Sequence, residues 1–382
     1  MENNYSFKIY SSSQEVDEQW NGIAKPNIFL SKEYLEVLEE AAPTNMTCFF
    51  IGFFDKENLA GIAIAQFLNL NKLESFGERD KCIKTAVRNF IFKNFCSHVL
   101  FLGNNMLSGQ NAFVFDKHLE TKKGTHLLYQ ASEEIKKILK KKGTKVHITT
   151  FKDFEEEEIK DFTSPEFKQL YKFSTQPNMV FTVNQNWHSF EDYIASLSKK
   201  YRDQYKRCRK KAEGIHKQKM NLEEIITHEE TIYNLYHHVA KNAPFNTFFL
   251  SKNHFRTMKE KLKDQFLFYG YFENGNLIGF NTLIKNGTQM DTYFLGYDEK
   301  VQREKMLYLN MLYDMVAYSI NKGFAAIIFA RTALEIKSSV GAKPEAMFGY
   351  IQHSNKLINK KMDRLFCYLE PKTAWKERNP FK

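Results

Sequence analysis

The sequence predicts an α/β protein built from two related domains in tandem, each a mostly antiparallel mixed sheet flanked by helices. The length of 382 residues exceeds the usual size of a single hydrophobic core. The segment FIGFFDKENLAG at 50–61 aligns without gaps on FYGYFENGNLIG at 268–279, with six identities in twelve positions. The tripeptide FLG recurs at 101–103 and 294–296. We therefore expect one domain at 1–180 and a second at 181–382.

Each copy of the repeat predicts two antiparallel strands, because aromatic and branched residues flank a short polar break. In the second copy, Asn274-Gly275 is a favoured hairpin turn, and Asn286-Gly287 predicts a third strand after it. A polar loop and a long helix follow in each half. Gly143 and Gly323 suit the left-handed position that closes such helices.

Two apolar segments, KVHITTF and AAIIFA, follow the long helices and predict one further strand in each half. The segment QPNMVFTVNQNW is expected to link the halves, because Asn and Pro favour a break in regular structure. A helix is expected to begin near Ser189. The order of helices, meander, strand, helix and strand is that of a layered α/β domain.

Composition excludes several classes of protein. The hydrophobic fraction of 43% and charged fraction of 26% are ordinary for a globular protein. The five cysteines are odd in number and include no C-x-x-C pair, and the eleven histidines form no H-E-x-x-H pattern, so we expect no metal site. The N-terminus lacks the pattern of a signal peptide, and no stretch approaches 18 consecutive apolar residues. We expect a cytoplasmic protein, either free or peripheral to the inner membrane surface.

The net charge of +10 is unevenly distributed. The segment Lys199–Lys219 has ten Lys and Arg residues against Asp203 and Glu213, while DFEEEEIKD at 153–161 is acidic. The basic segment fits three alternatives: a nucleic-acid backbone such as that of tRNA, an anionic membrane surface, or a solvated helix face that pairs with the acidic run. No stable protein partner is expected.

Three C-terminal segments resemble tandem-GNAT proteins, namely the Fem-type aminoacyltransferases of peptidoglycan synthesis and the related FemAB-like, BioF2-like acetyltransferase family. These segments are FEDYIASLSKKYRDQYKRCRKKAEG, FLGYDEKVQREKMLYLNMLYDMVAYSINKG and FARTALEIKSSVGAKP. The resemblance covers the second half well and the first half only through the internal repeat. It implies two GNAT-like domains, of which the second is catalytic and the first is either degenerate or binds a ligand of its own.

The resemblance also implies acyl-CoA as a co-substrate, with its pantetheine arm between two splayed strands and its pyrophosphate on the loop before the long helix. In the second half, that loop offers Gln302, Arg303 and Lys305 as contacts. It departs from the family pattern because it has no glycine, which leaves a solvated loop that caps a helix as the alternative. The first half offers Lys123 and Gly124 for a phosphate.

For catalysis, the segment RTALEIK follows an apolar strand and so lies where ligands of open α/β sheets bind. Glu335 is expected to orient or deprotonate an amine, and Arg331 or Lys337 to hold a phosphate or carboxylate. An ion-paired turn is the alternative for these three. Tyr293 and Tyr297, on the strand that faces the proposed cleft, are candidate proton donors to a thiolate, or else packing residues.

These expectations favour an N-acyltransferase that moves an acyl group from acyl-CoA to a small-molecule or lipid-linked amine. Two alternatives remain open. One is a Fem-type transferase that uses aminoacyl-tRNA and acts on a cell-wall precursor, which the missing glycine and the basic segment favour. The other is a noncatalytic GNAT-fold binding protein.

Overall fold

The computed structural model of the protein describes residues 5–72, 93–242, 246–364 and 375–382. The chain forms two compact units: the first unit is residues 1–175 with 346–372, and the second unit is residues 176–345 with 373–382. The expected second domain ran without interruption from 181 to 382. Residues 346–372 belong instead to the first unit, because a strand within them pairs in its sheet.

The first unit contains a mixed sheet in the order β1-β2-β3-β4-β6-β15-β7, with β5 also paired to β3. Its strands are β1 (Tyr5–Tyr10), β2 (Met46–Asp55), β3 (Asn58–Asn69), β4 (His98–Leu102), β5 (Phe113–Phe115), β6 (Ile148–Phe154), β7 (Tyr171–Ser174) and β15 (Phe348–His353). Its described α-helices are α1 (Trp20–Ala24), α2 (Lys32–Glu40), α3 (Thr121–Lys141), α4 (Glu156–Ile159) and α13 (Lys356–Asn359).

The second unit contains a sheet in the order β14-β8-β13-β12-β11-β10-β9. Its strands are β8 (Asn178–Thr182), β9 (His216–Lys219), β10 (Phe266–Glu273), β11 (Asn276–Asn286), β12 (Gln289–Tyr297), β13 (Ala326–Ala330) and β14 (Lys343–Glu345). Its described α-helices are α5 (Phe190–Ser196), α6 (Lys199–Lys211), α7 (Leu222–Thr227), α8 (Glu229–Asn242), α9 (His254–Leu262), α10 (Glu299–Lys305), α11 (Leu307–Asn321) and α12 (Leu334–Ser338).

The two sheets have matching strand orders. When β2 and β3 are matched with β10 and β11, then β1, β4, β6, β15 and β7 match β9, β12, β13, β8 and β14 in order. In both units one parallel pair, β4 with β6 or β12 with β13, lies among antiparallel neighbours. The prediction of a tandem pair of mixed α/β sheets is therefore confirmed.

The repeat in sequence is also a repeat in packing. Gly52 and Gly270 are equivalent, and a Cβ at Gly52 would meet Phe54 and Leu59, just as one at Gly270 would meet their counterparts Phe272 and Leu277. The hairpins β2–β3 and β10–β11 also carry a register shift at the same equivalent position. The shared glycine is thus explained by the close approach of neighbouring side chains.

Most element boundaries follow the predicted signals. The long helices α3 and α11 end before Gly143 and Gly323, whose φ angles are 78° and 72°. Ser189 caps α5 and forms a capping box with Asp192. The boundary between the units falls between Thr175 and Gln176, at the start of the expected link QPNMVFTVNQNW, but the apolar centre of that segment forms β8, which pairs with both β13 and β14.

Each sheet has its own hydrophobic core. In the first unit, α3 places Leu127, Leu128 and Ile135 against the sheet. In the second unit, α11 is buried on most of its circumference and packs between the sheet and the inner face of α6. Among the cysteines, Cys48, Cys96 and Cys208 are free thiols, and Cys82 and Cys367 lie outside the described residues.

Candidate functional site

The second unit has a gap between two parallel strands. β12 and β13 pair only from Gln289 to Asp291, opposite Ala326 to Ile328, although β12 continues to Tyr297. At the end of this pairing the hydroxyl of Thr292 donates to the carbonyl oxygen of Ile328 over 3.0 Å. The strands are therefore unpaired with each other toward their carboxyl ends, where ligands of α/β sheets bind.

A β-bulge lies beside this gap. Tyr293 and Phe294 together oppose Thr282, whose hydroxyl donates to the Phe294 carbonyl oxygen over 2.6 Å. Because a bulge inserts one residue, it reverses the alternation of side chains. Before the reversal, the Tyr293 hydroxyl shares a 3.0 Å hydrogen bond with Nε2 of buried His254 on α9.

The second candidate tyrosine lies on the other side of the strand. The ring centroid of Tyr297 is 6.2 Å from that of Tyr308 on α11. The structure thus separates Tyr293 from Tyr297, which the sequence analysis had placed together facing one cleft. A cavity of about 370 Å³ adjoins Tyr297, and α8 lines it with the polar residues Thr231, Asn234 and His238.

The turn after β13 has an unusual backbone. Ala330, Thr332 and Ala333 have φ angles of 57°, 67° and 48°, a region that β-branched residues such as threonine rarely adopt. Arg331 lies between them, and burial lowers the pKa of its guanidinium to about 10. Backbone strain of this kind is concentrated at functional sites.

Lys337 on α12 fixes this turn. Its Nζ donates to the carbonyl oxygens of Ala330 and Arg331 over 3.2 and 2.5 Å, and the residue is only 5% exposed. Burial lowers the pKa of Lys337 to about 7, because the charged form loses its hydration. Lys337 can therefore act as either a cation or a neutral amine near neutral pH, beside the end of β13.

Glu335 lies elsewhere. Residues two apart on a helix point in nearly opposite directions, so the Glu335 side chain points away from Lys337 and contacts the C-terminal segment. Nη2 of Arg378 donates to Oε2 of Glu335 over 2.7 Å, and the backbone N–H of Lys376 donates to Oε1 over 3.2 Å. The hydrogen bond from Arg378 lowers the pKa of the Glu335 carboxyl. Glu335 thus forms an ion pair, as expected under the alternative of an ion-paired turn, while Lys337 forms no ion pair with another described residue.

The three expected phosphate contacts after β12 are engaged within the protein. Oε1 of Gln302 accepts the backbone N–H of Tyr308 at the start of α11 over 3.0 Å. Arg303 pairs with Glu299 in α10, and Lys305 pairs with Glu273 over 3.2 Å. The N-terminal N–H groups of a helix are what binds a pyrophosphate. Here α10 and Gln302 cover that end of α11.

The candidate loop of the first unit lies within the first turn of α3. Lys123 pairs with Glu120 over 3.4 Å. A Cβ at Gly124 would lie 2.4 Å from Cε2 of Phe115, so close packing of the helix on the sheet requires glycine here. These contacts explain Gly124 without a phosphate.

The basic helix α6 has two different faces. Its inner face contains Tyr201, Tyr205, Cys208 and Arg209, and Arg209 pairs with Asp314 of α11 over 2.7 Å. Its outer face is strongly cationic, because six exposed basic residues share it with a single exposed carboxylate, Asp203; the six are Lys199, Lys200, Lys206, Arg207, Lys210 and Lys211. None of these six forms an ion pair with another described residue.

The acidic run at 153–161 pairs locally. Lys160 pairs with Glu157 in α4, and Lys152 pairs with buried Asp153 over 2.5 Å. The alternative in which this run neutralises the basic helix gains no support from these pairs.

Two buried polar residues of the second unit were not among those predicted from the sequence: Asp291 on β12 and His254 on α9, which are 6% and 0% exposed. Burial raises the pKa of Asp291 to about 7, against a hydrogen bond with Asn286 that lowers it. The available signal was a lone carboxylate within the otherwise uncharged strand QMDTYFLGY. His254 gave no signal, because its partner Tyr293 is distant in sequence.

Two features are absent from the described part of the chain. No group of three His, Cys, Asp or Glu side chains there is placed to hold a metal ion. No helix there combines the length and apolar character needed to cross a bilayer.

Comparisons with known proteins agree with this architecture. A family model described as FemAB-like, peptidoglycan biosynthesis/recognition, matches residues 12–328. The crystal structure of FemX superposes with a TM-score of 0.55 at 11% identity, covering 94% of this chain and 99% of that chain. A tandem GNAT protein from the clavulanic acid biosynthesis pathway, solved without AcCoA, has a TM-score of 0.51 at 8% identity, covering 92% and 99%.

A third similar structure, a conserved protein of unknown function from Bacteroides thetaiotaomicron, has a TM-score of 0.50 at 10% identity, covering 91% of this chain and all of that one. At sequence identities this low, the superpositions show that the fold is shared. No curated protein sequence matches the chain.

Proposed function

This chain belongs to the FemAB-like family, and we propose that it is a transferase that moves an aminoacyl group from aminoacyl-tRNA to an amine of a peptidoglycan precursor. The observation that carries this proposal is the position of Lys337. A buried lysine that is easily deprotonated lies at the end of β13, where the gap between β12 and β13 is open. The reacting ester carbonyl is placed in that gap.

The reaction needs charge stabilisation and proton transfer. The acceptor nitrogen attacks the ester carbonyl carbon, so that a C–N bond forms and negative charge develops on the carbonyl oxygen. The C–O bond to the ribose then breaks, and the ribose oxygen takes a proton. Protonated Lys337 stabilises the oxyanion and donates that proton, since its pKa of about 7 allows both forms at neutral pH.

Arg331 and the cavity beside Tyr297 are assigned to binding. The buried guanidinium of Arg331 suits a carboxylate or phosphate of the acceptor, because such groups form strong paired hydrogen bonds with arginine. The acceptor enters through the polar cavity between α8 and the start of α10. Lipid-linked and soluble precursors both carry such groups, so the proposal covers either form.

The covered end of α11 favours tRNA over CoA as the donor. Gln302 occupies one of the N–H groups that a CoA pyrophosphate would need, and Arg303 and Lys305 are engaged with Glu299 and Glu273. An aminoacyl ester on tRNA has no pyrophosphate to place there. The outer face of α6 supplies instead the cationic surface that an RNA backbone requires.

Acyl-CoA is the second candidate donor. The separation of two parallel strands after Asp291 is the feature that would admit a pantetheine arm. The superposed tandem GNAT structure is also described with reference to AcCoA. In this alternative, Lys337 would protonate the thiolate that leaves.

The test is a donor assay with the purified full-length chain and a soluble peptidoglycan precursor that carries a free amine. We expect labelled amino acid to move from a mixture of aminoacyl-tRNAs to the precursor, and no transfer from acetyl-CoA or long-chain acyl-CoA. Lys337→Met should abolish transfer, and Lys343→Met, which alters an exposed lysine on β14, should not. Transfer from acyl-CoA alone would establish the second candidate instead.

A further inference from the structure

One buried carboxyl group of the second unit has no role in the chemistry described so far. Asp291 is 6% exposed, and its Oδ2 has no hydrogen-bond partner within the described part of the protein. No lysine, arginine or histidine forms an ion pair with it among the described residues. An uncompensated buried carboxylate is costly to a fold, so its presence calls for a functional reason.

The position of Asp291 supplies that reason. It is the last residue of β12 in register with β13, opposite Ile328, so the gap begins at this residue. The neighbouring Thr292 makes the last contact from β12 to Ile328. A ligand that entered the gap to its full depth would end beside the Asp291 carboxyl.

The face of β12 that carries Asp291 packs against α9 and α8. Strand alternation puts Asp291 on the face of β12 that also carries Tyr293, whose hydroxyl bonds to His254 of α9. The same face contacts α8 through Phe294, whose ring centroid is 5.7 Å from that of Tyr236. Helix α8 lines the polar cavity assigned to the acceptor.

The other neighbours leave the carboxyl charge uncompensated. In register, Asp291 has Ile284 of β11 on one side and Ile328 of β13 on the other, both apolar. The titratable groups on this face include His254 from α9 and Tyr293 from β12, with Tyr236 from α8 farther along. Lys259 of α9 also donates to the carbonyl oxygen of Phe266, the residue of β10 in register with Ile284. Asn286, the last residue of β11, hydrogen-bonds to Asp291.

We propose that Asp291 is the catalytic base that takes a proton from the acceptor amine. This inference rests on the proposed transfer. The acceptor arrives as an ammonium ion, and one proton passes to the Asp291 carboxylate, which frees the nitrogen lone pair to form the C–N bond. As the C–O bond breaks, Lys337 gives its proton to the ribose oxygen, and the second proton from the nitrogen passes to the neutral Lys337 amine and restores it. The products are an amide, a free ribose hydroxyl and one proton, which Asp291 releases to solvent.

Asp291 and Lys337 then handle the two proton transfers from the two strands that border the gap. A carboxyl and an amine that both titrate near neutral pH can exchange protons with a substrate at little cost. The carboxyl on β12 accepts and the amine beside β13 donates. Each group is desolvated by burial, which is what brings both pKa values toward 7.

The test compares Asp291→Asn with Asp264→Asn, an exposed carboxyl in the second unit. We expect Asp291→Asn to lower kcat about 100-fold or more, to remove the acidic limb of the pH profile, and to melt no lower than the parent. Asp264→Asn should match the parent. A kcat within about threefold of the parent, with an unchanged profile, would overturn the assignment.

Two further measurements separate a catalytic base from a structural role. Formate should restore part of the rate to Asp291→Ala, because it supplies the missing carboxylate. Hydroxylamine, which is already deprotonated at neutral pH, should react at equal rates with the parent and Asp291→Asn. Failure of both would overturn the inference. If the parent transfers nothing from any donor, then the proposed function itself fails.

Discussion

Replacing Lys337 by methionine should change the pH dependence of the free energy of unfolding as well as the rate of transfer. Methionine has a similar length but no charge, so it removes the hydrogen bonds to the Ala330 and Arg331 carbonyl oxygens and the cost of burying an ammonium ion. Burial lowers the pKa of Lys337 from 10.5 to about 7. At about 1.4 kcal/mol for each tenfold change in the ionisation constant, the full cost of charging the folded protein is roughly 5 kcal/mol.

The sign of the pH dependence follows from proton binding. Between about pH 7 and pH 10 the unfolded chain holds a proton on this lysine that the folded chain does not. The free energy of unfolding is therefore highest above pH 10.5, where the lysine is neutral in both the folded and the unfolded chain, and it falls as pH is lowered toward 7. Relative to Lys337→Met, the parent should gain roughly 2 kcal/mol of unfolding free energy between about pH 7 and pH 9.

Urea unfolding followed by tryptophan fluorescence can measure this difference. In a Trp20→Phe background the remaining tryptophans, Trp187 and Trp375, belong to the second unit, so the signal reports on that unit. Lys343→Met is the matched control, and its curve should run parallel to that of the parent. Parallel curves for Lys337→Met as well would show that Lys337 is not held in a desolvated site, and would refute the reasoning.

Two further predictions concern surfaces. Lys206→Glu with Arg207→Glu on the outer face of α6 should weaken tRNA binding about tenfold or more and reduce the slope of log affinity against log salt by about 2, as expected when two phosphate contacts are lost. The control pair Lys140→Glu with Lys141→Glu on α3 should leave the affinity and the slope unchanged. An unaltered slope in the α6 variant would remove this helix from the RNA contact. Glu335→Gln should leave kcat unchanged while it speeds proteolysis of the C-terminal segment at Arg378, because the lost pair holds that segment; a large fall in kcat would return Glu335 to the catalytic set.

The sequence predicted the repeated fold because the informative signals are local. Asn-Gly turns, closing glycines and the shared Gly52 and Gly270 each specify a geometry within a few residues. The return of β15 to the first sheet could not be predicted in this way. It depends on which distant strand offers a free edge, and six residues of moderate alternation do not specify that choice.

The candidate site was predictable in part. The segment RTALEIK does lie at the end of a strand, as expected, and includes the buried Lys337. The helical spacing already separates Glu335 from Lys337, but only the structure reveals Arg378 as the partner of Glu335. Simple alternation along a strand would put Tyr293 and Tyr297 on one face, but a bulge at Phe294 reverses it.

The internal partners of the predicted phosphate contacts could not be foreseen for a different reason. Gln302, Arg303 and Lys305 are polar residues in a loop, and a sequence does not say whether such side chains face a ligand or the protein itself. Asp291 shows the converse case, because a carboxylate in an otherwise uncharged strand is unfavourable for folding and therefore informative. Its neighbours could be identified only when the strand pairing was known.

A single-turnover donor assay decides which activated group the protein transfers. The purified chain is given labelled aminoacyl-tRNA or labelled acyl-CoA in separate single-turnover reactions with the same amine-bearing precursor, and Lys337→Met is run beside it. We predict amide product from aminoacyl-tRNA only, and none from the variant. Product from acyl-CoA only, or equal product with and without Lys337, would contradict the account.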